Sequence, residues 1–151
     1  MLEQIRNFYR ISDTIATSGQ PTAAEFKLIK KSGFEAVINL ALPDSPHAIK
    51  NEASIVKKEV MEYLHIPVDF KSPKSTDLKL FFDLMEKYRD KKLFIHCALN
   101  MRVSVFIFLY KTIKQQWPVQ NAIQDLQAVW TPDEIWQEFI DSSLKQHNIS
   151  T

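Results

Sequence analysis

The sequence predicts an α/β fold: a central, mostly parallel or mixed sheet flanked by helices, in one domain spanning residues 1–151. Three observations carry that expectation. Short apolar runs such as Ala36-Val37-Ile38-Asn39-Leu40 and Leu93-Phe94-Ile95 read as strands buried on both faces, as parallel strands are. Between them lie stretches with apolar residues at helical spacing and capping signals at their starts. The two kinds of segment alternate, and 151 residues, 45% of them apolar, suffice to bury one core.

Taken in order, Phe8 to Ile11 and Ile15 to Ser18 form two short strands around the turn residues Ser12-Asp13. Ser18-Gly19-Gln20-Pro21 then punctuates the chain. Thr22 and Glu25 are spaced as a capping box, Phe26 and Ile29 share a helical face, and Gly33 supplies a left-handed stop, which predicts a helix over Ala23 to Ser32. The strand Ala36 to Leu40 is closed by Pro43. Ser45-Pro46 is read as the cap and first turn of a helix presenting Ile49, Ala53, Val56 and Val60. Tyr63 to Val68 is a strand near an edge, because Pro67 cannot donate to a ladder. After the polar loop Asp69 to Lys74, a helix entered through Ser75 or Thr76 carries Leu78, Phe81, Phe82 and Met85. Lys92 to His96 is the last buried strand. Val103 to Lys114 is apolar almost all round, as a central helix is. Trp117-Pro118 starts a helix ending near Trp130, and Thr131-Pro132-Asp133-Glu134 is read as a capping box with proline at the first position of the last helix, which presents Ile135, Phe139 and Ile140.

Composition narrows the function. There is one cysteine, so no internal disulfide forms, and with no signal-like leader a reducing, cytoplasmic compartment is expected. The net charge of +1 and the scattered lysines offer nucleic acid no footprint. The run Val103 to Tyr110 is far shorter than the roughly 20 residues of a membrane span, so no membrane partner is expected either.

The chemistry concentrates at His96-Cys97-Ala98-Leu99-Asn100-Met101-Arg102, where a buried strand turns straight into a helix. Such a turn leaves backbone N–H groups without partners at the positive end of the helix dipole, so it binds anions and favours the reactive thiolate of Cys97. Arg102 adds a permanently charged fork that matches two oxygens of a tetrahedral anion. Together they would hold a phosphoryl group against a nucleophile.

His-Cys, a short anion loop, arginine and a buried helix resemble the signature of the cysteine-dependent protein tyrosine and dual-specificity phosphatase superfamily. Through Ser18-Gly19-Gln20-Pro21, Val37-Ile38-Asn39-Leu40 and His65-Ile66-Pro67-Val68 the chain is similar, over most of its length, to a bacterial branch called β-lactamase-hydrolase-like. The resemblance implies a dual-specificity-phosphatase-like fold and hydrolysis of phosphomonoesters through a phosphocysteine, with no cofactor. Cys97 would attack phosphorus, while the phosphate-binding loop Ala98 to Ser104, with Arg102 as its clamp, would stabilise the equatorial oxygens. The substrate would be a phosphorylated small molecule or a phosphoprotein. The superfamily pattern has five residues with a glycine between cysteine and arginine; here only Ala98, Leu99, Asn100 and Met101 intervene, a spacing the bacterial branch shares. Asn100 stands where that glycine would be, and asparagine tolerates a left-handed backbone. Val103 falls where the usual arginine would be, and Ser104 where the usual hydroxyl donor to the thiolate would be.

The remaining roles are assigned more simply. His96 ends the strand and orients the loop through a hydrogen bond. Asp69, following a strand end in a polar loop, is the candidate general acid, with Asp44 its weaker rival. Ser18, Gly19 and Gln20 are candidates to line the site, although a tight turn into a capped helix also accounts for Gly19. His47, His65 and His147 show no metal-ligand spacing. Trp117, Trp130 and Trp136 read as packing. Two other functions fit the same loop: a pseudophosphatase that binds phosphorylated partners or anions, and a rhodanese-like sulfurtransferase carrying a persulfide on Cys97.

Overall fold

The computed structural model describes residues 1–150, and the strands and helices alternate through the first two thirds of the chain. After a short 3-10 turn at Leu2–Gln4 come β1 (Tyr9–Arg10), β2 (Ile15–Ser18), α1 (Ala23–Lys31), β3 (Ala36–Asn39), α2 (Glu52–Lys58) and β4 (Glu62–His65). Then follow α3 (Ser75–Lys87), β5 (Leu93–His96), α4 (Met101–Leu109) continued by a π-turn at Tyr110–Lys114, α5 (Val119–Val129) and α6 (Glu134–Gln146). The five strands form one mixed sheet in the order β1-β2-β5-β3-β4, antiparallel only between β1 and β2.

Alternation along each central strand divides the core in two. Ile38 and Ile95 face a cluster built with α3 to α6, including Phe81, Phe106 and Trp136. Val37 and Phe94 face the other side, where Phe26 and Ile29 of α1, Val56 of α2 and Leu2 and Ile5 of the amino-terminal turn cover the sheet. Helices thus cover both faces, which is why β3 and β5 read as unbroken apolar runs. The register pairs Ser18 with His96 and His96 with Asn39, so three carboxyl ends stop level. Ligand sites in such sheets form beyond that line.

Local signals were mostly reliable. Thr22 and Glu25 make the reciprocal capping box, and Gly33 has φ 95°. Beyond β4 the chain still donates Ile66 N–H and Val68 N–H to Asn39 and Leu40 carbonyls, with Pro67 between them on the open edge. Four expectations are corrected. The Ser45-Pro46 helix does not form: Ser45 Oγ accepts from Leu42 N behind it at 3.0 Å, left-handed His47 and Asn51 interrupt the path, and α2 begins only at Glu52. Val60 lies outside that helix, left-handed and 79% exposed. The cap of α3 is Lys74 rather than Ser75 or Thr76. Asp133, not Thr131, caps α6 by accepting from Trp136 N at 2.9 Å, which leaves Pro132 outside the helix.

Candidate active site

β5 delivers the chain into the loop from the middle of the sheet. His96 is the last strand residue, Cys97 N–H donates to Ser18 O at 3.3 Å, and Asn100 adopts φ 67°, ψ 1°, the left-handed conformation that lets α4 start at Met101. That is the backbone the superfamily's glycine would supply. The N–H groups of Met101, Arg102 and Val103, in the first turn of α4, and those of Ala98 and Leu99 find no acceptor among the described residues.

Beside the loop lies a cleft of about 640 Å³. Ala98, Leu99, Met101 and Arg102 form one wall, Asp69, Phe70 and Lys71 a second, and Leu42, Asp44, Ser45 and Pro46 a third. Arg102 is 5% exposed; its Nη1 donates to Val68 O at 2.9 Å and its guanidinium carbon lies 5.7 Å from the centre of the Phe70 ring. Its Nε has no partner. Among the described residues only two buried side-chain polar atoms are left so, Arg102 Nε and Asn100 Oδ1, and both belong to this loop. Unpaired buried polar groups are rare because each forfeits its hydration. Cys97 is 1% exposed and is not part of the cleft wall.

Behind the loop the buried polar groups are paired except for Asn100 Oδ1. His96 is fully buried, with Nε2 2.7 Å from Glu52 Oε2 and Nδ1 3.1 Å from Cys97 O. A carbonyl only accepts, so Nδ1 carries the hydrogen of that contact, and Nε2 faces the Glu52 carboxylate. Gln20 Nε2 donates to the other Glu52 oxygen at 2.7 Å. Burial pushes the Glu52 carboxyl up; hydrogen bonding and charge from His96, with Gln20 and Tyr63 as further donors, more than reverse this and hold it below the ordinary carboxylate range. Burial, together with the Glu52 charge and against a hydrogen bond from Asn39, raises Tyr63 to about 12, so its hydroxyl keeps its proton.

The structure therefore sorts the predicted residues. Cys97, Ala98, Leu99, Asn100, Met101, Arg102 and His96 come together, and Asp69 and Asp44 both reach the cleft. Asp69 is exposed and its Oδ1 accepts from Lys71 N at 3.0 Å in a turn of its own. Its strand β4 is not a neighbour of β5, since β3 separates them. Ser18, Gly19 and Gln20 do not line the cleft: Ser18 and Gln20 are buried, Gln20 N donates to Ala98 O at 3.0 Å, and a Cβ on Gly19 would lie 2.5 Å from Ala98 O. They back the loop. The Val103 side chain is in the core, leaving only its N–H for an anion. Ser104 Oγ donates to Met101 O at 2.7 Å and accepts from Trp130 Nε1 at 3.0 Å, so no hydroxyl hydrogen remains for the thiolate.

Glu52 and Phe70 are parts of the site that sequence reasoning missed. Glu52 looks like any acidic residue in a first helical turn, and only its burial marks it. Phe70 packs its ring at a tilt against Trp130 and Trp136, and Trp136 Nε1 donates to Phe70 O at 2.8 Å. Trp130 and Trp136 do pack, as expected, and also brace the segment carrying Asp69, whereas Trp117 is 44% exposed, with Lys111 Nζ 4.2 Å from the centre of its ring. No three of the His, Cys, Asp and Glu side chains gather as metal ligands among the described residues, and no described helix is long and apolar enough to cross a membrane.

Residues 9–143 match the family described as "DSP-PTPase phosphatase fused to NAD+ Kinase". The chain belongs to that family. Among solved structures, this dual-specificity-phosphatase-like chain is 31% identical to a DUF442 protein from Shewanella putrefaciens CN-32, which is named as a candidate phosphatase; the match covers 96% of this chain and 93% of that one with a TM-score of 0.87. Tk-PTP in its active form (18% identity, TM-score 0.78, 93% and 97% covered) shares the fold. So does PTPMT1 in complex with PI(5)P (17% identity, TM-score 0.77, 94% and 97% covered). No curated protein matches the chain.

Proposed function

We propose that this protein is a cysteine-dependent phosphomonoester hydrolase. The observation that carries the reading is the buried, unpartnered Nε of Arg102 in a cleft lined by Ala98, Leu99, Met101 and Arg102, residues whose N–H groups have no acceptor among the described residues. A dianionic phosphoryl group supplies oxygens to both. Cys97 Sγ attacks phosphorus, the bond from phosphorus to the leaving oxygen breaks, and Asp69 gives that oxygen a proton. Water, surrendering a proton to Asp69, then cleaves the sulfur–phosphorus bond and releases inorganic phosphate. His96 and Glu52 take no part in bond making; holding the Cys97 carbonyl, they turn the loop's donors towards the cleft. The substrates are phosphorylated small molecules or phosphoproteins, and the cytoplasm is the compartment in which a lone cysteine nucleophile stays reduced.

A binding role without turnover is the second reading, favoured by the enclosure of Cys97 and the tie from Arg102 to Val68 O. One experiment separates them: hydrolysis of a panel of aryl phosphates and phosphopeptides by the wild-type and Cys97→Ser proteins, with mass spectrometry of acid-quenched enzyme. Turnover and an acid-stable adduct of one phosphoryl group, both absent from Cys97→Ser, support the hydrolase. Phosphate binding with no turnover, or turnover unaltered in Cys97→Ser, rejects it.

A further inference from the structure

The loop is also tied to a part of the chain outside the span that defines its family. Residues 9–143 match that family, yet Asn7, before it, bonds the loop twice. Asn7 Nδ2 donates to Leu99 O at 3.0 Å, and Asn100 Nδ2 donates back to Asn7 O at 2.9 Å and to Thr17 Oγ1 at 3.0 Å. Neighbouring Arg6 O accepts from Gly19 N at 2.7 Å, so the same arm also holds the strand end behind the loop. Asn7 itself has φ 50° and Asn100 φ 67°. Two asparagines in the left-handed region, each bonding the other's loop, are more than a tolerated substitution. A glycine at 100 would give the backbone conformation at less steric cost but none of these bonds.

We infer that Asn7 and Asn100 form a clasp that positions the anion-binding loop, so that the amino-terminal arm is part of the anion site's architecture. Asn100 is a positioning residue and not a stand-in for glycine. The clasp pulls Leu99 O and the Asn100 side chain to the back, which leaves the N–H groups of Leu99, Met101 and Arg102 free for a ligand. The buried Thr17 hydroxyl completes the brace: it donates to Tyr9 O at 2.8 Å and accepts from Asn100.

The inference rests on the anion-binding reading of the loop but not on turnover, and its test keeps the two apart. Asn7→Gly and Asn100→Gly both preserve a backbone at positive φ while deleting the side-chain bonds, and the double variant deletes both. Two measurements are made on the full chain: vanadate affinity by calorimetry, and amide hydrogen exchange of residues 97–103 without ligand. With thermal stability changed little, each single variant should bind vanadate about tenfold more weakly and exchange loop amides about tenfold faster, and the double variant should lose less than the product of the two. Wild-type exchange rates in Asn7→Gly, or vanadate affinity in Asn100→Gly equal to or above wild type, would overturn the clasp. If wild type itself binds no vanadate, the anion reading fails, while the exchange arm still decides the clasp.

Discussion

The two sides of the loop Cys97–Arg102 are built on opposite principles. Behind it, Gln20, Glu52, His96, Asn7 and Thr17 hydrogen-bond across segments that are distant in sequence, and Gly19 is so close that a methyl group would collide with Ala98 O. In front of it, Arg102 Nε and a run of N–H groups have nothing to bond. On the proposed reading, a back that is hydrogen-bonded except at Asn100 Oδ1 and a front left open make a preorganised site: the cost of ordering the loop is met by folding, so an arriving anion would gain its hydrogen bonds without first arranging donors. The difference also separates two kinds of mutation. Changes in front should act on anion and chemistry with the fold intact; changes at Gly19 and Glu52 behind it should act on stability first, whereas loss of the Asn7–Asn100 clasp should act on loop order and anion affinity.

The largest expected effect tests the front. Asp69→Asn should slow hydrolysis of alkyl and phenolic phosphates by about 10² to 10⁴-fold and affect a very acidic phenol leaving group far less, because only a poor leaving group needs the proton. Steady-state rates across a leaving-group series measure this. Equal losses throughout would return Asp69 to its turn with Lys71 and make Asp44, which also lines the cleft, or water alone the next candidate.

Next in size, Arg102→Lys should weaken vanadate binding almost as much as Arg102→Ala, by roughly tenfold to more than a hundredfold, since charge-assisted bonds contribute about 1.5 to 3 kcal/mol and an ammonium lacks the fork. Lysine also cannot both hold Val68 O and face the cleft with a second planar donor. Calorimetric titration with vanadate checks it, and undiminished affinity in Arg102→Lys would show that charge alone suffices.

Behind the loop, Gly19→Ala should cost about 1 to 3 kcal/mol of stability, the usual penalty for a methyl group forced onto backbone it cannot displace. Chemical denaturation gives the value. A wild-type midpoint would mean that the strand end and loop move apart freely, and the back would then not be rigid.

The smallest effect is a pH dependence. Glu52 is held below the ordinary carboxylate range in the fold and returns to about 4.3 when unfolded. Its contribution is therefore fully present above about pH 4.3 and is lost as pH falls through the depressed folded value. Wild-type stability should decline over that acid window, and Glu52→Gln, less stable at neutral pH, should lack that part of the slope. Parallel acid profiles for the two proteins would show that Glu52 does not carry it.

How far the sequence reaches is visible residue by residue. The capping box Thr22/Glu25, the stop at Gly33 and the left-handed Asn100 were legible because each depends on neighbours within a few positions. The missed start of α2 shows the limit even locally: Ser45 has the composition of a cap, but its hydroxyl bonds backwards to Leu42 N. Ser104 failed for a similar reason, since Trp130 and Met101 O take the hydroxyl that the motif assigns elsewhere. The pairs that set the back of the site, 44 residues apart for Glu52 and His96 and 93 for Asn7 and Asn100, leave no periodic or local trace.

The sequence by itself determined the alternating elements, the sheet flanked by helices and the loop between a buried strand and a buried helix, because periodicity and turn chemistry act over one or two turns of chain. Only the tertiary structure decided which carboxylate meets His96, that Gly19 and Gln20 stand behind the loop, and that β3 separates Asp69's strand from the strand of Cys97. Those depend on strand order and register, and register is settled by burying two sheet faces at once.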